Sequence, residues 1–180
     1  TYRSAREAGF DNINIDLMSA IPDQTYEGWI HNLRTVAGLD PEHISAYSLI
    51  IEEGTPFASR TLNLPDEDAE YNMYEATAQI LREYGFEQYE ISNYAKKGRE
   101  CRHNVGYWIR QDYLGFGLGA SSLYGKERFV NTQDMKKYLE NSRTPKKIRE
   151  KEPPLTREDE MAEFMFLGLR MTRGISKAEF

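Results

Sequence analysis

Along the first ninety residues the apolar positions alternate between two periods. Residues 1–8 fit the closing turns of a helix, and Gly9 suits its C-terminal stop. Ile13, Ile15 and Leu17 then alternate with Asn12, Asn14 and Asp16, the period of two of a half-buried strand. The turn Ala20-Ile21-Pro22-Asp23 ends it, and Thr25 is placed to cap a helix on which Trp29, Leu33 and Val36–Ala37 share one face. Gly38 closes that helix. Ile44, Ala46, Ser48 and Ile50 carry a second strand.

The cycle then repeats. Pro65 and Asp66-Glu67-Asp68 open a helix with Tyr74, Thr77, Ile80–Leu81 and Tyr84 on one face. Gly85 ends it, and Phe86, Tyr89 and Ile91 begin a third strand. Strand–helix–strand–helix–strand order predicts an α/β fold with a parallel sheet.

After residue 95 the pattern changes. Lys96-Lys97-Gly98-Arg99 is a basic loop. Tyr113–Tyr124 suggests a glycine-rich strand with Gly115, Gly117 and Gly119 on one bare face, approached closely by a ligand or by another stretch of backbone. Phe129–Asn131 suggests a partner strand and Gln133–Glu140 a helix. Residues 143–155, rich in lysine, arginine and proline, suggest a linker. Thr156 with Asp159 forms a capping-box pattern ahead of a helix carrying Met161, Phe164, Met165 and Leu169.

Composition narrows the class. The 180 residues are 39% hydrophobic and 29% charged, ordinary for a folded chain and unlike a disordered one. The net charge of −6 lacks the basic footprint of a large nucleic-acid interface. No apolar run approaches the roughly 18 residues of a membrane span. The first residues lack the apolar block of a secretory signal. One cysteine rules out an intramolecular disulfide framework and fits a reducing cytoplasm, so the expected location is cytoplasmic.

Few residues have the chemistry of a site. Asp16 ends the first strand, where α/β folds bind ligands. It could accept hydrogen bonds from ribose hydroxyls or bond the loop amides of residues 18–20. His103-Asn104-Val105-Gly106-Tyr107-Trp108 gathers an imidazole, an amide and two large aromatics. Imidazole is a common haem-iron ligand and aromatic rings can stack on a porphyrin, but a histidine bonded to a backbone carbonyl also fits. Cys101 is a possible haem or metal ligand or a plain thiol, and alone it forms neither a zinc nor an iron–sulfur site. His31 and His43 suggest solvated or capping residues. Glu52 and Glu53 are adjacent on an extended chain and point to opposite faces, which argues against shared acid–base work. GxGxxG before a helix, GxSxG, HExxH and the P-loop are absent.

Several stretches together resemble one family. They are Asn14-Ile-Asp-Leu-Met18 with Ile21-Pro-Asp-Gln-Thr25, Ile44-Ser-Ala-Tyr-Ser-Leu49, Glu53-Gly-Thr-Pro-Phe57, Tyr89-Glu-Ile-Ser-Asn-Tyr-Ala95, and Glu100-Cys-Arg-His-Asn104 with Tyr107-Trp108. They resemble the radical SAM proteins grouped as oxygen-independent coproporphyrinogen III oxidases (HemN-like), and within them the haem-chaperone, HemW-like branch. Leu167-Gly-Leu-Arg170 followed by Gly174 resembles the start of the family's C-terminal domain.

The resemblance implies a partial (β/α)6 barrel that binds S-adenosylmethionine and holds a 4Fe–4S cluster on a CxxxCxxC loop. On that basis residues 1–131 are the C-terminal half of the barrel, and residues 132–180 are a linker and the beginning of the C-terminal domain. The cysteine loop is not in this sequence, so the expectation is a segment of a longer protein whose cluster ligands lie upstream. Such a segment holds no metal site or catalytic residue of its own. By the same resemblance Asp16, Ile50 and Ser121 line S-adenosylmethionine, and His103, Asn104, Tyr107 and Trp108, matching HNxxYW, contact haem. The family pattern often has histidine where Ser121 stands, and a hydroxyl cannot replace imidazole on iron. The implied partners are haem or a porphyrin and a haem-acceptor protein. Whether the intact protein is a chaperone or an oxidoreductase that decarboxylates coproporphyrinogen III stays open. Cutting such a barrel exposes a strand edge, so the segment is expected to self-associate.

Overall fold

A computed structural model describes residues 1–178 and 180. The chain divides into two compact units, Thr1–Cys101 and Arg102–Phe180.

The first unit contains α1 (Tyr2–Glu7), β1 (Asn14–Ser19), α2 (Tyr26–Ala37), β2 (His43–Ser48), α3 (Glu67–Glu83), β3 (Glu87–Glu90) and β4 (Asn93–Ala95). The helices start where their caps require. The Gly28 amide donates to Thr25 Oγ1 at 3.1 Å and the Ala69 amide to Asp66 Oδ1 at 2.8 Å. Gly85 ends α3 with φ +83°, a left-handed conformation that glycine adopts without penalty.

β1 and β2 pair in parallel, Asn14 opposite His43 and Asp16 opposite Ser45. The third strand is not their neighbour. The sheet order is β1-β2-β4-β3, with the short β4 antiparallel to both β2 and β3, so the sheet is mixed rather than purely parallel. A three-residue strand is too short to show a period, which is why the hydrophobic pattern does not reveal it. The hairpin turn before β4 is tied by Glu90. Its Oε1 accepts from the Ser92 amide at 2.9 Å and from Asn93 Nδ2 at 2.5 Å.

The core joins Trp29, Leu33 and Ala37 of α2, Ile44 and Ala46 of β2, Met73, Ala76, Ile80 and Leu81 of α3, and Phe86 and Tyr94. Trp29 is 1% exposed, and its indole N–H donates to Thr77 Oγ1 at 2.9 Å. The opposite parity of β1, made of Asn14, Asp16 and Met18, is exposed. Three of the expected residues lie elsewhere. Tyr74 and Tyr84 lie outside the buried stripe of α3, which instead runs through Met73, Thr77 and Leu81. Ile50 lies beyond the end of β2 and is 75% exposed.

The second unit contains α4 (Arg102–Trp108), β5 (Ser121–Tyr124), β6 (Glu127–Asn131), α5 (Met135–Asn141), α6 (Pro145–Ile148), β7 (Arg149–Lys151) and α7 (Arg157–Gly168). β5, β6 and β7 form an antiparallel sheet in that order. The segment expected to be a linker therefore contributes a short helix and an edge strand. Lysine and arginine signal solvent on the exposed β7 and do not signal the absence of structure.

The glycine-rich stretch is a strand only from Ser121. Before it a loop is held by Asn131, whose Nδ2 donates to the Gly117 carbonyl at 2.8 Å, and by Ser122, whose Oγ accepts from the Gly115 amide at 2.9 Å. The close approach is by backbone, because a Cβ on Gly115 would strike the Ser121 carbonyl. The capping box of α7 is formed: the Asp159 amide donates to Thr156 Oγ1 at 3.1 Å and the Thr156 amide to Asp159 Oδ2 at 2.9 Å. Of the apolar stripe expected on α7, Phe164 is half-buried, and Met161, Met165 and Leu169 are exposed.

Candidate functional site

In the first unit the residues with site chemistry gather on the uncovered face of the sheet. Asp16 stands in the middle of β1 on its exposed side. It is not bonded to the loop amides of residues 18–20. Asn14 Nδ2 donates to Asp16 Oδ1 at 2.7 Å, which leaves Oδ2 without a protein partner among the described residues. Two residues further along one strand face is the spacing that puts both side chains on the same side.

His43, expected at the surface, is buried. Its Nδ1 lies 2.7 Å from Asn14 Oδ1 and its Nε2 lies 2.8 Å from the Tyr89 hydroxyl. Burial pushes its imidazole below the ordinary value, against the opposing pull of Asp16, Glu90 and Glu100. Burial likewise pushes the Tyr89 phenol up to about 12. The sequence does not mark Asn14, His43 and Tyr89 as one group. Asn14 and Asp16 at i and i+2 offered a local hint, but only the strand register reveals His43 opposite Asn14.

Ile50 sits in a shallow apolar depression with Ile51, Thr55, Pro56 and Phe57. Cys101 is a partly buried free thiol, and its amide donates to the Tyr89 hydroxyl at 3.3 Å. Among the described residues no cluster of His, Cys, Asp and Glu could hold a metal ion, so the side chains present do not fit an iron–sulfur cluster.

In the second unit His103, Asn104, Tyr107 and Trp108 all lie on α4. His103 is exposed, and its ring meets Tyr107 edge-on at 4.7 Å between centroids. Tyr107 in turn meets Tyr113 edge-on at 4.6 Å. These three rings with Arg102, Gly106, Gln111 and Asp112 line an open cavity of about 200 Å³. The His103 nitrogens make no hydrogen bond among the described residues, so the alternative of a histidine satisfied by a backbone carbonyl is not what the structure contains.

Trp108 separates from this group. The Arg170 guanidinium lies over its ring at 4.3 Å, and it lines a different cavity with Ile109, Phe164 and Met171. Asn104 is partly buried on α4. Ser121 is exposed at the start of β5, opposite Val130.

Known proteins share both parts. The HemN C-terminal domain matches residues 155–180. "Heme chaperone HemW" of Bacillus subtilis is 42% identical over the whole chain, which covers 48% of that protein. "Heme chaperone HemW" of Lactococcus lactis is 38% identical over 97% of the chain and 47% of that protein. This chain belongs to the HemW-like family. It spans about half the length of the curated relatives it matches. Its fold is that of the radical SAM enzyme coproporphyrinogen III oxidase (HemN) from Escherichia coli, with a TM-score of 0.75 over 94% of this chain and 42% of that one, at 23% identity. No helix among the described residues is long and apolar enough to cross a membrane.

Proposed function

We propose that this chain is the C-terminal half of the radical SAM barrel, with the start of the C-terminal domain, of a HemW-like haem chaperone, with α4 as its haem-contacting element and Asp16 as a handle for the ribose of S-adenosylmethionine. The observation that carries the haem reading is the state of His103. An exposed imidazole, without a hydrogen-bond partner and oriented by an aromatic ring, is free to donate a lone pair to iron. Tyr107 and Tyr113 offer ring edges beside it. The cavity there is below the roughly 300 Å³ of an enclosing small-molecule pocket, so a porphyrin would lie across this surface. Trp108, already covered by Arg170, is the weakest member of the HNxxYW set as a haem contact.

Asp16 fits a ribose for a different reason. One carboxylate oxygen is fixed by Asn14 and the other is open, so vicinal hydroxyls meet a pre-oriented acceptor. When bound beside a reduced iron–sulfur cluster, S-adenosylmethionine would supply radical chemistry, and the role of this chain's residues would be to hold its ribose. By the family resemblance alone, Ile50 would give this cofactor an apolar contact and Ser121 a backbone contact. The domain assignment, residues 1–131 as the C-terminal half of a partial barrel and 132–180 as a linker and the beginning of the C-terminal domain, belongs to this proposal too, as do a cytoplasmic location and a haem-acceptor protein.

Haem titration of the full-length protein, followed at the Soret band, tests the assignment. His103→Ala is expected to weaken binding at least tenfold, and unchanged affinity overturns the ligand role. The likeness of fold to HemN keeps one other reading in view, oxidative decarboxylation of coproporphyrinogen III. Formation of protoporphyrinogen in an anaerobic assay of the intact protein would replace the chaperone reading. The isolated segment should self-associate through β1, an edge strand whose outer backbone groups are unpaired in the sheet. A clean monomer in sedimentation at high concentration would refute that.

A further inference from the structure

The uncovered sheet face contains a chain of hydrogen bonds that the proposed function leaves without a task. It runs across three strands. Cys101 N–H meets the Tyr89 hydroxyl at 3.3 Å, Tyr89 meets His43 Nε2 at 2.8 Å, and His43 Nδ1 meets Asn14 Oδ1 at 2.7 Å. Asn14 Nδ2 then meets Asp16 Oδ1 at 2.7 Å. Ser45 Oγ adds a second donor to Asn14 Oδ1 at 3.2 Å. Parallel pairing of β1 with β2 places Asn14 opposite His43 and Asp16 opposite Ser45, so the register itself sets these distances.

Chemistry fixes the direction of every bond. A carboxylate only accepts, so Asn14 presents its amide nitrogen to Asp16 and its oxygen to His43. An amide oxygen only accepts, so His43 Nδ1 carries the hydrogen. In a neutral ring Nε2 is then a lone pair and accepts from the Tyr89 hydroxyl, which is left to accept from the Cys101 amide. Each donor meets one acceptor, in one order, from the Cys101 amide to the Asp16 carboxylate. The downward push of burial on the His43 imidazole favours the neutral ring that this order needs.

A network whose only task was to satisfy buried groups would end on a buried acceptor or on backbone. This one ends on an exposed carboxylate. Its inner members, His43 and Tyr89, are 5% and 8% exposed, and its last member faces the open side of the sheet.

We propose that His43 is a positioning residue that, through Asn14, fixes Asp16 with one oxygen bound and the other presented to the vicinal hydroxyls of a ribose. This deepens, and rests on, the reading of Asp16 given above. With His43 in place the Asn14 amide cannot flip, because its nitrogen would then face the His43 Nδ1 hydrogen. Without His43 only the Ser45 hydroxyl opposes the flip, and a hydroxyl can accept as well as donate. A flipped amide turns its oxygen toward the carboxylate and releases Asp16 to rotate. The ligand would then have to order the carboxylate itself.

The test uses the full-length protein, S-adenosylhomocysteine as the ribose-bearing probe, and calorimetric titration. Asp16→Asn is expected to weaken binding at least tenfold, and His43→Phe about fivefold to tenfold, the scale of one well-made hydrogen bond. His43→Asn, whose Nδ2–H stands where the imidazole Nδ1–H does, should recover part of the loss. The deciding arm is the double variant: because His43 acts only through Asp16, adding His43→Phe to Asp16→Asn should cost less than twofold more. Full additivity overturns the role of His43 and leaves that of Asp16 standing. Binding unchanged in Asp16→Asn overturns the ribose reading and this proposal with it. Nitrogen-15 spectra of the imidazole give a second readout that does not depend on the variants folding. A hydrogen on Nδ1 is expected, and a neutral ring with its hydrogen on Nε2 refutes the relay.

Discussion

Glu163 on α7 is gripped by two guanidinium groups. Arg110 Nε lies 3.0 Å from one carboxylate oxygen and Arg128 Nη2 lies 2.9 Å from the other. Arg110 also donates to the Glu160 carbonyl at 3.3 Å. The glutamate side chain is 12% exposed and the arginines 20% and 29%. This clamp ties α7 to β6 and to the end of α4. Glu163→Gln keeps the shape and removes the charge. Each charge-assisted hydrogen bond contributes roughly 1.5–3 kcal/mol, and an amide recovers part of it at one arginine only. Residual solvent at the arginines lowers the loss further, to about 2–3 kcal/mol. At about 1.4 kcal/mol per decade, that speeds local opening by about 30- to 150-fold. Hydrogen exchange read by mass spectrometry is the suitable assay, because it reports each unit separately. Peptides over 127–131 and 157–168 should exchange faster by that factor, and peptides over 26–37 and 67–83 should not change. Equal acceleration in both units, or none in the second, refutes the reasoning. A cycle with Arg128→Met should recover at least 1 kcal/mol of coupling.

Three further outcomes are expected. Trp29→Phe removes the N–H bond to Thr77 and about 40 Å³ of side chain, so urea unfolding of the first unit should show a loss of about 2 kcal/mol. Gly115→Ala drives a methyl into the Ser121 carbonyl and should lower the melting temperature of the second unit, whereas an alanine at Gly106 meets only the movable end of Gln111 and should cost far less. Stability should also fall on mild acidification. The folded state holds the His43 proton less tightly than the unfolded chain, so the unfolded chain binds more protons just below the ordinary value of 6.5. The contribution is therefore complete above that value and is lost as the pH drops through the window beneath it. Urea titrations of wild type and His43→Gln between pH 5 and pH 7.5 should converge toward the acid end, and parallel curves would contradict this account.

The elements of the first unit were legible because each is announced twice, by a period and by a terminus. Trp29, Leu33 and Ala37 repeat at helical spacing behind a Thr25 cap, and both signals agree. Where only one signal exists the reading failed. Asn93–Ala95 has no room for a period, so the pattern predicts a parallel sheet and does not show the antiparallel β4 between β2 and β3. The alternation of glycine with Leu114, Phe116 and Leu118 has a strand's period, yet the stretch is a loop because Asn131 and Ser122 take its backbone groups. Asp16 and His103 stand out in the sequence by residue type, place in the pattern and the family resemblance. His43 does not, because its meaning comes from a residue 29 positions away that only strand pairing brings opposite.

The three glycines of that loop are excluded from replacement for two unrelated reasons. At Gly115 the obstacle is volume, since the Ser121 carbonyl occupies the place of a side chain. At Gly117 and Gly119, with φ of +112° and +66°, a Cβ would touch nothing at 117 and only the Gln133 side chain, at ordinary distance, at 119. There the obstacle is chirality. An alanine scan would score all three positions alike, but mirror-image chemistry separates them: a D-alanine introduced by semisynthesis has the handedness that the backbone at 117 and 119 already follows, so an achiral residue in this loop stands in for an enantiomer the ribosome does not supply.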